Sequence, residues 1–238
     1  MQSTTLEYTN GKQNFKGKLF FDETETGRRP GVVVFPEAFG LGEHVCERAE
    51  RLARMGYVVL AADFHGGGKE YPDLASVSPV IQALYADRAE WRSRARAAFD
   101  ALAAQPQVDS AKIAAVGFCF GGTTGLELAR SGAPLAGVVT FHAGLIPELP
   151  EDAGRIGASV LICHGADDPI VKPEAIDAVE AEFRRDKVDW QFIYYGGALH
   201  GFTNAAIGRH GNPALAYNAL ADRRSWAAMT ELFEEVFA

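Results

Sequence analysis

The turn Gly117-Phe118-Cys119-Phe120-Gly121 restricts the folds open to this chain more than any other segment. It follows the apolar run Ile113–Val116, which is typical of a buried strand, and precedes residues 123–130, which can form a helix. A Gly-x-Cys-x-Gly turn between strand and helix is the nucleophile-elbow pattern, with cysteine where serine is more common. The pattern predicts that Cys119 stands on a sharp turn at a strand end. Its side chain then faces a helix N-terminus, where free amides and the helix dipole favour a thiolate.

The rest of the chain alternates apolar runs with stretches of helical period, which predicts an α/β fold with a mostly parallel sheet covered by helices on both faces. Two strands around Asn10-Gly11 predict an opening hairpin. No linker rich in proline, glycine or serine divides the chain, so we expect one domain over residues 1–238. The further predicted strands are Gly31–Phe35, Tyr57–Ala62, Leu135–Phe141, Ser159–His164 and Trp190–Tyr195. The predicted helices lie near 45–53, 76–85, 91–102, 176–183 and 226–237.

Composition excludes several classes of protein. The net charge is −8, and the basic residues are dispersed without a polybasic stripe, so nucleic acid is not an expected partner. No apolar run reaches the length of a membrane span, and residues 1–7 lack the basic start and apolar core of a signal peptide. The three cysteines fit reduced thiols. We expect a cytoplasmic protein, a monomer or small homo-oligomer, whose partner is a small molecule.

A cysteine nucleophile needs a base, and the base needs an acid to orient it. Both follow the elbow in the order that α/β-hydrolases use. Segment 163–171 leaves a predicted strand with Asp167 and Asp168, and the glycine-rich segment 196–202 leaves the last strand with His200. A lone cysteine in an apolar stretch is usually a packing residue, but the glycines and these partners favour catalysis here.

These motifs resemble those of the dienelactone hydrolase (carboxymethylenebutenolidase) family, within the α/β-hydrolase superfamily. The resemblance extends from Gly31 to the C-terminus. It is carried by Gly117–Gly122 for the elbow, by His164–Val171 for the acid segment, by His200, and by Pro36–Gly40.

The resemblance implies an α/β-hydrolase fold and hydrolysis of a small ester or lactone through a thioester acyl-enzyme. It implies Asp168 as the acid and His200 as the base. By the same resemblance, Glu37 pairs with the resting thiol and helps to form the thiolate. The backbone N–H groups of Ala38 and Phe120 then form the oxyanion hole.

Two positions depart from the family pattern. Asn204 stands where the family has an arginine, four residues after the histidine, and the segment Tyr85–Arg88 has one extra residue before its arginine. The partial match predicts that Arg88 binds a substrate carboxylate. His142, which follows the predicted strand Leu135–Phe141, is a second predicted pocket residue.

Two other interpretations remain open at this point. A flavodoxin-like enzyme of the glutaminase or DJ-1 type also uses a cysteine elbow, although it gives Asp168 and His200 no role. A non-catalytic binding module on the hydrolase fold predicts a broken triad, whereas all three residues are present. Neither a metal nor another cofactor is expected, because adjacent residues such as Cys163 and His164 point to opposite faces of a strand.

Overall fold

The computed structural model describes residues 1–238. Its strands are β1 (Gln2–Thr9), β2 (Asn14–Phe21), β3 (Arg29–Phe35), β4 (Val58–Ala61), β5 (Val108–Phe118), β6 (Gly137–Phe141), β7 (Ser159–Gly165) and β8 (Trp190–Tyr195). Its α-helices are α1 (Glu43–Ala53), α2 (Leu74–Ala86), α3 (Arg88–Ala103), α4 (Phe120–Arg130), α5 (Pro173–Asp186) and α6 (Ala219–Val236). Two short 3-10 helices cover Pro150–Asp152 and Ile207–His210.

All eight strands form one sheet in the order β1-β2-β4-β3-β5-β6-β7-β8. Strand β1 pairs antiparallel with β2, and β2 pairs antiparallel with β4. Strands β3 to β8 all pair in parallel. The predicted mostly parallel sheet is therefore confirmed. The parallel strands β4-β3-β5-β6-β7 share the relative order 2-1-3-4-5 with flavodoxin-like folds, but the hairpin β1–β2 and the strand β8 extend the sheet at its two edges, so the flavodoxin-like alternative is wrong.

Two apolar cores lie on opposite faces of the sheet. Successive side chains of a strand point to opposite faces, so Val33 and Phe35 of β3 join one core and Val32 and Val34 join the other. The first core packs against α3, α4 and α5, and the second packs against α1 and α6. Because both faces are covered, the central strands read as continuous apolar runs.

The structure corrects several predicted boundaries. Strand β5 begins at Val108 rather than Ile113, because Arg29 and Pro30 pair with it beyond an irregularity in the register. Helix α6 begins at Ala219, seven residues before its apolar stripe, because the Asn218 side chain accepts hydrogen bonds from two backbone N–H groups of the first turn. None of the helices combines the length and apolar character that a membrane crossing requires.

Candidate active site

Cys119 lies between β5 and α4 on a strained turn. Its φ is 54° and its ψ is −119°, a conformation that non-glycine residues rarely adopt. A Cβ on Gly117 would come within 2.0 Å of the Gly121 carbonyl oxygen, and one on Gly121 would come within 2.2 Å of the Phe35 carbonyl oxygen. Both flanking glycines are thus required by close backbone contacts, as the elbow pattern predicts.

His200 and Asp168 meet where the parallel strands β7 and β8 end. The Nδ1 of His200 lies 2.8 Å from Oδ2 of Asp168, and both side chains are almost fully buried. The backbone N–H of Ile170 donates to the other carboxylate oxygen of Asp168 at 2.8 Å. Asp167 is exposed to solvent. The carboxylate at 168 is therefore held on both oxygens and aimed at the imidazole.

The environment of His200 favours its charged form. Burial by itself lowers the pKa of this histidine, but negative charge on Cys119 and the hydrogen bond with Asp168 raise it to about 10. Burial likewise raises the pKa of Asp168, and the hydrogen bond with His200 outweighs that effect and lowers it. The pair therefore favours an imidazolium at His200 and a carboxylate at Asp168.

Glu37 follows β3 and contributes a second buried carboxyl group. Burial raises its pKa to about 7, although the Asn204 side-chain amide donates to Oε2 at 2.7 Å and opposes that rise. The other oxygen, Oε1, is buried without a hydrogen-bond partner. His44 lies 3.7 Å from Oε2, but burial lowers the pKa of His44 to about 3, so it is neutral near pH 7. Glu37 therefore has no cationic partner in direct contact.

A pocket of about 210 Å³ opens beside Cys119. It brings together five of the residues that the sequence predicts for the site, and Asp168 supports His200 from behind. The five are Glu37, Ala38, Cys119, Phe120 and His200. The remaining lining residues are Phe39, Leu74, Ile81, Tyr85, Gly144, Ile170, Ile207, Asn212 and Leu215.

Arg88, predicted to bind a substrate carboxylate, is not among the residues that line this pocket. The guanidinium donates to Glu127 through Nε at 2.9 Å and through Nη2 at 2.7 Å, and also to the Pro147 carbonyl oxygen at 3.0 Å. The Glu127 carboxylate is buried away from water, so its charge needs a cationic partner, and the Arg88 guanidinium supplies one. The arginine is therefore engaged before any substrate arrives.

His142, the second predicted pocket residue, is also not among the residues that line the pocket. It is fully buried, and its Nε2 lies 2.8 Å from the Thr203 hydroxyl. Its ring packs at 5.3 Å against the ring of His200. Its φ of 42° lets it turn back beneath the base instead of toward the pocket. The residue packs behind His200 rather than against a ligand.

The sequence analysis missed most of the pocket wall. Leu74, Ile81 and Tyr85 of α2 form one side, at a spacing of seven and four residues that marks one helix face. That spacing could have identified the wall, whereas Ile170 and Ile207 lie in loops with no such period. No group of three or more His, Cys, Asp or Glu side chains is placed to hold a metal ion.

Three features define the α/β-hydrolase class. They are the order of the strands in the sheet, the cysteine elbow after β5, and the later strand ends that carry Asp168 and His200. The sequence model of the dienelactone hydrolase family matches residues 15–237. The chain therefore belongs to the dienelactone hydrolase family, and it is a hydrolase of esters or lactones. Because the chain belongs to a family of hydrolases, the alternative of a non-catalytic binding module is wrong.

Solved structures and curated relatives agree with this assignment. A dienelactone hydrolase-like promiscuous phosphotriesterase from metagenomic libraries is 58% identical, with a TM-score of 0.98 over 100% of this chain and 99% of its own. The protein m3DLH is 59% identical, with the same TM-score and coverage. A Yersinia pestis protein provisionally named carboxymethylenebutenolidase is 25% identical over 90% of this chain and 80% of its own.

Proposed function

We propose that the chain hydrolyses small esters or lactones through a Cys119–His200–Asp168 triad and a thioester acyl-enzyme. The observation that carries the proposal is the 2.8 Å contact between His200 Nδ1 and Asp168, beside a pocket that Cys119 enters from a strained elbow. Geometry of this kind orients a base toward a nucleophile.

In the acylation step, the Cys119 thiolate attacks the substrate carbonyl carbon and forms an Sγ–C bond. The oxyanion is stabilised by the backbone N–H groups of Ala38 and Phe120, the latter in the first turn of α4, where helix amides lack intrahelical acceptors. The C–O bond of the ester then breaks, and the His200 imidazolium gives its proton to the departing alkoxide.

In the deacylation step, His200 takes a proton from water, the resulting hydroxide attacks the thioester, and the C–S bond breaks to restore the thiolate. Asp168 fixes the imidazole orientation and stabilises its charged form. Glu37 lines the pocket with a carboxyl group whose pKa of about 7 suits it to accept the thiol proton in the resting enzyme. The scheme uses no cofactor, so we expect EDTA to leave turnover unchanged.

The direct test is to trap the acyl-enzyme. Brief mixing with p-nitrophenyl acetate, followed by acid quenching and peptide mass spectrometry, is expected to find one acetyl group on Cys119. Iodoacetamide should likewise label Cys119 before the other two cysteines. Burial raises the pKa of Cys163 to about 12 and also raises that of the half-buried Cys46. Acetylation or alkylation of Cys46 first would contradict the proposal.

A second candidate activity is hydrolysis of phosphotriesters. The observation that favours it is the 58% identity and 0.98 TM-score with the promiscuous phosphotriesterase. The same thiolate would attack phosphorus and form an S–P bond while the aryloxide leaves. We expect release of p-nitrophenol from a dialkyl p-nitrophenyl phosphate by the wild type and none by Cys119→Ala.

A further inference from the structure

The pocket has no lysine or arginine that could receive an anionic substrate, and the charge of its one histidine, His200, is paired with Asp168. None of its 14 lining residues is lysine or arginine, and its ionisable groups are Glu37, Tyr85, Cys119 and His200. The imidazole of His200 is already bound to Asp168. A carboxylate in this pocket would therefore be buried without a free cationic partner, which is strongly unfavourable.

Three arginines of α3 and α4 are held in ion pairs inside the fold. Arg88 binds Glu127, Arg92 binds Glu127 and Asp152, and Arg130 binds Glu127 and Glu182. Removing Arg92 would leave Asp152 without its arginine, removing Arg130 would do the same to Glu182, and removing Arg88 would take one of three arginines from Glu127. These cations are therefore held in the fold and are not available to a ligand.

The mouth of the pocket exposes large apolar side chains to solvent. Leu74 and Tyr85 of α2 are each 40% exposed, and Ile170 is 46% exposed. These three are among only eight large apolar residues that are exposed in the whole chain, and all three line the pocket. Exposed apolar surface concentrated at a cleft is typical of a binding site that an apolar ligand covers.

We propose that the site selects uncharged substrates with an apolar group that packs against Leu74, Tyr85 and Ile170, and that it excludes carboxylated ones. The proposal rests on hydrolysis at Cys119. Glu37 reinforces the exclusion, because its unpartnered Oε1 and a substrate carboxylate would repel each other once Glu37 ionises. Burial raises the pKa of Glu37 to about 7 and outweighs the hydrogen bond from Asn204 and the charges of His200, Arg209 and Arg48, which lower it, while His44 beside it is neutral. The discrimination should therefore increase above pH 7.

The test compares two acyl groups that differ in charge and by one methyl group. p-Nitrophenyl hydrogen succinate carries a free carboxylate, and methyl p-nitrophenyl succinate carries its neutral methyl ester, with the same leaving group. We expect kcat/KM to be about 100-fold or more higher for the neutral ester, since an unpaired carboxylate is strongly disfavoured in an apolar site. A ratio below about 10 would overturn the selectivity proposal while the hydrolase assignment stands. Failure to hydrolyse either ester, and p-nitrophenyl acetate as well, would overturn both.

Four variants, of which Met55→Lys is a control, locate the cause of the selectivity. Ile170→Lys places a cation at the pocket mouth and should reduce the ratio at least about tenfold, whereas Met55→Lys, at an exposed position outside the pocket, should not change it. Leu74→Ala should raise KM for p-nitrophenyl butyrate several-fold with little change in kcat, because it removes apolar contact rather than a reacting group. Arg88→Gln should leave the ratio of kcat/KM values for the two esters unchanged. A fall in activity toward the carboxylated ester alone would show that Arg88 binds the substrate carboxylate and would overturn the proposal.

Discussion

Two buried carboxylates, Glu127 and Glu37, stand in opposite electrostatic surroundings. Glu127 lies near the end of α4 and receives hydrogen bonds from Arg88, Arg92 and Arg130 at 2.7–3.0 Å. Glu37 receives one amide hydrogen bond from Asn204, and its other oxygen has no partner. The first carboxylate is neutralised by its surroundings, whereas burial leaves the second with a pKa of about 7.

The difference distinguishes two regions of the molecule. The region around Glu127 stabilises the fold, and the region around Glu37 belongs to the candidate active site. Both regions meet on α4, whose first residue follows Cys119 and whose last turns are tied by the arginines. The carboxylate that three arginines surround is neutralised in place and serves to hold α3 against α4. A carboxyl group that lacks cationic partners can change protonation near neutral pH, and such groups concentrate at functional sites.

The largest effect is expected from Cys119→Ala, which removes the proposed nucleophile and leaves both carboxylates in place. Turnover of p-nitrophenyl acetate should fall by at least about 10⁴-fold, because oxyanion and binding contacts alone cannot form the acyl-enzyme. Thermal unfolding and circular dichroism should match the wild type, since the elbow accommodates a smaller side chain. Residual burst kinetics in this variant would contradict the assignment of Cys119.

The next largest effect is expected from Asp168→Asn. Loss of the charge that orients and stabilises the His200 imidazolium should lower kcat by roughly 10²–10⁴-fold. Asp167→Asn is the matched control, because the adjacent carboxylate is exposed and should cost less than about tenfold. Equal losses in the two variants would move the acid of the triad by one residue.

Glu127→Gln tests the other side of the comparison. Its three arginine partners would lose the charge that neutralises them, so the free energy of unfolding should fall by about 3 kcal/mol or more. KM should change little, because Glu127 does not line the pocket. Glu50→Gln is the control, since Glu50 pairs with the exposed Arg54 and should cost less than about 1 kcal/mol. Denaturant titration of both variants measures the difference, and equal losses would contradict the structural role of the arginine cluster.

The residues of the proposed triad could be selected from the sequence because local motifs and chain order point to them. Two glycines around Cys119 indicate the elbow, and α/β-hydrolase order places an acid and then a histidine at later strand ends. The sheet was predictable for the same reason, since apolar runs alternate with helical periods. Glu37 was reached only through family resemblance.

The partners of the arginines were not predictable from sequence. Arg88 and Glu127 are 39 residues apart, and only the packing of α3 on α4 decides which carboxylate an arginine meets. The sequence match therefore suggested a substrate contact for Arg88 where the fold provides an internal ion pair. The wall contributed by Ile170 was missed for a similar reason, because the direction of a loop side chain depends on tertiary packing.

Glu37→Gln is expected to give the smallest of these effects, and its sign depends on pH. Burial raises the pKa of Glu37 from 4.5 to about 7 in the folded protein. The folded state therefore binds the proton more tightly than the unfolded state. The resulting stabilisation is fully present below about pH 4.5 and is lost as pH rises through 7. Glutamine keeps an acceptor for Asn204 but cannot ionise, so the variant should gain about 2–3 kcal/mol relative to wild type between pH 4.5 and pH 8.

The informative quantity is the difference in unfolding free energy between the wild type and Glu37→Gln at each pH. Burial lowers the pKa of the neighbouring His44 to about 3, and a histidine with a lowered pKa adds stability as pH rises toward 6.5, which opposes Glu37. Both proteins contain His44, so subtracting their unfolding free energies at each pH isolates the carboxyl group. Glu47→Gln, at an exposed site on α1, controls for loss of a surface carboxylate. A difference that does not vary between pH 5 and pH 8 would mean that Glu37 is neutralised as Glu127 is, and the contrast between the two carboxylates would fail.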